Sequence, residues 1–282
     1  MKTIAIDNDN FIVPSKWNDL APEQVMTLAK LVQQNASYFN ISVKFCLYLL
    51  GLKPKLYHPI LVDGESLYYV RGKSNKNKYL LSTAQVHALV KSFSWLFVSH
   101  RDESDTITMG VNPLVNYNPV KDIKVRFTRL RGPDDVLGNL SWMEFIFAET
   151  FLTRYNMTGD IKWLAQFLAV LWRPLKDGNI LPFEQSKVER QACRTIRINH
   201  NTALVATWFY AGCKAFLAKK YPRALGGSGG RKQSDPFEGY MDLTVTLAKT
   251  DKASPDSVLG TNLHFVLKSL DIMLQQQQQQ KR

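Results

Sequence analysis

Four cations offer the most specific chemistry in this chain. Lys187, Arg190, Arg194 and Arg197 are spaced 3, 4 and 3 residues apart. On an α-helix that spacing confines them to an arc of roughly 80°. Val188, Ala192 and Ile196 fall on a separate arc, so the segment reads as a helix with a basic face and a packed face. A basic face of this kind is either a solvated stripe or a docking surface for an acidic partner or for phosphate. No aromatic residues interleave with the cations, which argues against stacking on single-stranded nucleic acid.

No catalytic or metal-binding pattern accompanies them. The five histidines are His58, His87, His100, His200 and His264; none sits in an HExxH motif or three residues after a glutamate. Glu144 and Glu149 lie in an otherwise apolar run, and five residues on a helix set them about 140° apart, so they do not converge as an acid–base pair. Burial against an arginine such as Arg173 or Arg190 is the expected fate of Glu149. Residues 225–232 resemble a phosphate loop but end in Arg231-Lys232-Gln233, with no Gly-Lys-Ser/Thr and no preceding strand. Cys46, Cys193 and Cys213 are an odd number with no CxxC, and their apolar surroundings predict reduced, buried thiols. No catalytic residue, metal ligand or cofactor is therefore assigned.

The elements that position the cations are mostly helical. Apolar residues at 45% and charged residues at 21% are ordinary for a globular chain, and 282 residues suffice for a large core without disulfides. The net charge of +12 is spread along the sequence: residues 1–138 carry 17 basic and 12 acidic residues, and residues 139–282 carry 19 and 12. No secretory leader is expected at the N-terminus, and no window of about 18 residues is free of charge, so no membrane span is expected.

Residues 140–217 form the apolar heart. They read as three helices, and the Trp172-Arg173-Pro174 sequence closes the second of them, with Arg173 placed to complement its terminal carbonyls. The expected organisation is mainly α, a multi-helix core with a small α+β N-terminal part. Residues 1–133 form that α+β region, with short strands, a helix that starts over residues 19–24 and has Val25, Leu28, Leu31 and Val32 as its apolar stripe, and further helices at 40–50 and 82–97. Residues 134–224 form the helical core, 225–236 a flexible linker, 237–274 a C-terminal helical segment, and 275–282 a polyglutamine tail that frays. Within the first region, residues 123–131 read as one strand with Ile123, Val125 and Phe127 on its apolar side and Lys124 and Arg126 on its wet side.

The run from Trp163 to Pro174, Arg190, the small-aromatic helix over 203–217, and the Phe237-Glu-Gly-Tyr and Asn262-Leu-His-Phe-Val-Leu segments carry a family likeness. Together, over about residues 140–274, they resemble tail-assembly and structural proteins of tailed bacteriophages. The resemblance implies a non-enzymatic protein that acts in tail or head–tail assembly by binding other phage structural proteins, in the host cytoplasm or the virion. It supplies no catalytic residues. Two other readings remain. In one, the chain is a basic nucleic-acid-associated protein, with residues 187–197 and 123–131 as its surface. In the other, it is an enzyme whose site is assembled from distant residues.

Overall fold

The computed structural model describes residues 1–34, 37–54, 60–62, 65–73, 76–101, 107–225, 236–251 and 253–280. It divides into two compact units, Met1–Pro113 and Leu114–Arg282. The fold is mainly helical, with a small β-rich region ahead of the helical core.

The first unit opens with a hairpin of β1 (Lys2–Ile6) and β2 (Asp9–Val13), joined by the two-residue turn Asp7-Asn8. α1 (Pro22–Val32) follows; its buried stripe is Val25, Leu28 and Ala29, and the Gln24 side chain accepts the backbone N–H of Ala21 at 2.8 Å. α2 (Tyr38–Leu49) starts at Ser37 and buries Ile41, Phe45 and Cys46. Four strands come next: β3 (Leu52–Pro54), β4 (Ile60–Val62), β5 (Glu65–Gly72) and β6 (Lys78–Ser82). β5 is central, pairing with β3 and β4 and with β6, all antiparallel.

α3 (Thr83–Lys91) is opened by a reciprocal cap between Ser82 and Gln85. It ends six residues before the expected Phe97. Phe97-Val-Ser-His-Arg instead forms β7 (Phe97–Arg101), paired with β8 (Ile107–Val111). Of the residues read as helix beyond Lys91, Ser94–Leu96 form a 3-10 turn and Phe97 alone enters the strand.

The second unit begins with β9 (Asp122–Val125) and β10 (Thr128–Arg131). α4 (Trp142–Thr158) is capped by Ser141, whose hydroxyl and N–H exchange hydrogen bonds with Glu144, and it stops at Gly159 in a left-handed turn with φ +68°. α5 (Ile161–Leu171) is capped by Asp160. β11 (Arg173–Lys176) and β12 (Asn179–Ile180) follow, and the antiparallel sheet runs in the order β12-β11-β10-β9.

α6 (Val188–Thr195) leads to the long α7 (His200–Lys220) and the single turn α8 (Pro222–Leu225). Of the linker expected over residues 225–236, Leu225 ends α8 and Pro236 begins α9, and residues 226–235 lie outside the described residues. α9 (Pro236–Asp251), α10 (Pro255–Gly260) and α11 (Leu263–Gln280) complete the unit. The glutamine run, expected to fray, continues α11 as an exposed helical extension to Gln280. Among the described residues no helix is long and apolar enough to cross a membrane.

The core of this unit is aromatic. Trp142, Phe145, Phe167, Trp172, Phe209 and Tyr210 are fully buried on α4, α5, the cap between α5 and β11, and α7. The Trp142 indole N–H donates to Thr244 Oγ1 at 2.8 Å, tying α4 to α9. Gly212 lets α7 lie against the chain at Val115; a Cβ there would stand 2.1 Å from the Val115 carbonyl oxygen.

The break between units falls at Pro113, not at the expected Gly132-Pro133. β9 and β10 belong with the helical core because Leu130 and Arg131 pair with Pro174 and Arg173 of β11. The division also sharpens the charge pattern. The first unit has 12 basic and 9 acidic residues, net +3; the second has 24 and 15, net +9.

Candidate interaction surface

The four predicted cations do not share one helix. Lys187 closes a 3-10 turn, Gln185–Lys187, ahead of α6; Arg190 and Arg194 lie on α6; Arg197 lies beyond it, past Ile196. A 3-10 turn advances about 120° per residue, so the 100° arithmetic holds only between Arg190 and Arg194. All four are exposed, and Lys187 is taken up by Glu184 at 2.6 Å. Arg190, Arg194 and Arg197 have no acidic partner within ion-pair distance among the described residues. The packed side of α6 is Val188 and Thr195, continued beyond the helix by Ile198, with the Thr195 hydroxyl donating to the Ala165 carbonyl at 2.5 Å. Ile196, expected on that side, is 45% exposed.

The β9–β10 hairpin holds the more unusual arrangement. The residues read as one strand turn back at Arg126-Phe127, with Val125 paired to Thr128. Ile123 and Val125 are buried as expected, and Leu130 of β10 is buried with them, but Phe127 does not join them: its side chain is completely exposed. Arg126 adopts φ +52°, in the left-handed region, where an L-residue with a Cβ is less stable by about 1 kcal/mol.

Two-residue hairpin turns favour Asn, Asp and Gly for that reason. Two other two-residue turns among the described residues comply: Asp7-Asn8 joins β1 to β2, and Asp177-Gly178 joins β11 to β12. Of these three, the β9–β10 turn alone carries a large cation and a large aromatic residue. The turn thus combines an arginine in the left-handed region with a solvent-exposed aromatic ring.

Cations flank this tip. Asp122 accepts a forked pair of hydrogen bonds from Arg129, at 3.2 and 3.0 Å, and a third from Arg131 at 2.6 Å. Those bonds, Arg129's first, hold the Asp122 carboxyl below the usual carboxylate range. Lys121 pairs with Asp135 at 3.4 Å. Lys124 and Arg126 have no acidic partner within ion-pair distance among the described residues, so the hairpin keeps a net positive tip beside Phe127.

The two buried glutamates are each accounted for. Glu144 caps its own helix and pairs with Arg173 Nη2 at 2.5 Å. Glu149 pairs with Lys214 at 2.6 Å, in place of the expected Arg173 or Arg190. Arg173 therefore meets a carboxylate and opens β11, and it does not cap the carbonyls of α5. Tyr210 lies close by; burial, then the Glu149 charge, pushes its hydroxyl well above the ordinary range.

Cys46 and Cys213 are buried, as expected, but Cys193 on α6 is exposed. No group of three or more His, Cys, Asp or Glu side chains converges among the described residues. The phosphate-loop likeness at 225–232 lies outside the described residues apart from Leu225. No protein-family model, curated protein or solved structure matches this chain.

Proposed function

We propose that this chain is a virion-assembly protein of a tailed bacteriophage that works by binding. In this reading the Arg126-Phe127 tip, with Lys124 beside it, docks an acidic surface of another phage structural protein. The observation that carries it is the fully exposed Phe127 on a strained two-residue turn amid unpaired cations. An aromatic ring with an adjacent arginine is the composition of an interface anchor, where a few such residues supply most of the binding energy. The family likeness over residues 140–274 supports the assembly context. Lys187, Arg190, Arg194 and Arg197 extend the basic character of the same unit and act on the encounter rate more than on the anchor.

The same cation–aromatic adjacency also favours a nucleic-acid-associated role, in which Phe127 stacks on a base. That role needs a track of several aromatics along the strand, and the hairpin presents only Phe127. Co-purification from phage-infected or co-expressing cells, with nuclease treatment, separates the two. The assembly reading expects a phage protein retained after nuclease and lost with Phe127→Ala. Recovery of nucleic acid alone, released steeply by salt, would replace it with the second reading.

A further inference from the structure

The first unit contains a cleft of its own. It has a volume of about 450 Å³ and opens between α2 and the face of β5 that carries Tyr68 and Val70. Val43 and Leu47, one helical turn apart on α2, form its wall. Leu52, Val70 and Leu81 form its floor; Pro54 lies opposite Val70 and Leu81 opposite Tyr68, which puts these residues on one face of the sheet. At the mouth stand Lys44, Lys53 and Lys73, all exposed. The Lys73 ammonium lies 5.0 Å from the centre of the Tyr48 ring. No aspartate or glutamate lines the cleft, and none pairs with these lysines among the described residues.

The geometry points to a single-chain anionic amphiphile as the ligand of this cleft. Its alkyl chain lies along Val43, Leu47 and Leu81, and its carboxylate or phosphate head sits among Lys44, Lys53 and Lys73. The size falls in the range of small-molecule sites, roughly 300–1,000 Å³. Three cations without a counter-charge among the described residues select an anionic head. A peptide is disfavoured as the occupant because its backbone N–H and C=O groups would be buried without partners. Among the described residues β5 is paired along one edge with β3 and β4, at Val70–Gly72 and Glu65–Leu67, and along the other with β6, at Leu67–Arg71. An alkyl chain carries no such groups.

Calorimetric titration of the full chain with dodecanoate, dodecyl phosphate and dodecanol, each below its micelle concentration, tests this. Saturable one-to-one binding of the anions is expected, with dodecanol at least tenfold weaker. The triple variant Lys44→Glu, Lys53→Glu, Lys73→Glu, altered only at exposed positions, loses at least tenfold for the anions and leaves dodecanol unchanged. Val43→Trp, which fills the cleft, abolishes binding of all three. Binding of only one anion identifies the head group and upholds the site. Three results overturn it: no saturable anion binding below about 1 mM, the weak end of specific affinity; anion affinity unchanged in the triple variant; or displacement of dodecyl phosphate by equimolar inorganic phosphate. An acidic, apolar peptide that binds where dodecanoate does not would reassign the cleft to a protein partner.

Discussion

Glu144 and Arg173 form a nearly buried ion pair at 2.5 Å, linking the first turn of α4 to the first residue of β11. The carboxylate's other oxygen accepts from the Ser141 N–H at 2.7 Å and from its hydroxyl at 2.9 Å, so one side chain caps a helix and neutralises a buried guanidinium. This pairing explains why an arginine follows Trp172 at the end of an apolar helix. It also occupies a glutamate that would otherwise suggest acid–base chemistry.

Removing only the carboxylate should be severe. Glu144→Gln leaves Arg173 charged and buried, and a broken buried pair is destabilising by about 3–5 kcal/mol. Replacing both residues, Glu144→Gln with Arg173→Met, should recover much of that loss. Urea unfolding of the two variants checks it; equal destabilisation by both would mean the pair is not what the substitution disturbs.

Thiol reactivity should follow burial. Burial pushes the Cys46 thiol up to about 12, with the Lys2 charge opposing, and pushes Cys213 higher still. Both thiols therefore stay protonated at pH 8 and shielded from reagent, whereas Cys193 is exposed. Iodoacetamide followed by mass spectrometry should modify Cys193 alone in the native protein and all three after unfolding.

The hairpin should respond to acid through Asp122. Its carboxyl is held below the ordinary value, so the folded state binds its proton less readily than the unfolded chain does. The resulting stability is present above about pH 4, the unfolded value, and is lost as pH falls through the lower folded value. Carboxyl NMR titration should place the Asp122 midpoint below 3.9, and Arg129→Gln should raise it. Asp122→Asn should flatten the acid limb of the stability curve.

Much of the second unit was legible in the sequence. The apolar runs of α4, α5 and α7 end at Ser141, Gly159, Asp160 and Asn199, residues that stop or start helices by local chemistry. The pairing of β10 with β11 was not legible, since it joins residues more than 40 positions apart and leaves no local signature. The interaction surface was only half legible. Alternation placed Phe127 with Ile123 and Val125, and nothing in Val-Arg-Phe-Thr announces a turn, because the residues that normally make one are missing. Their absence is the feature of interest, and only the structure exposes it. The α6 cations were correctly read as exposed, but the 3-10 turn at Gln185–Lys187 defeats an arc drawn for a continuous helix.

The central claim is that the β9–β10 tip is shaped for a partner and not for stability. Replacing Arg126-Phe127 with Asn-Gly gives the hairpin the turn its geometry favours and buries nothing less, since Phe127 is wholly exposed. The decisive measurement compares this double variant with the parent in two readouts: thermal unfolding, and recovery of the proposed phage partner after nuclease treatment. The account predicts stability retained or raised by up to about 1 kcal/mol, with partner recovery lost. A variant that still recovers the partner at parental levels would contradict it.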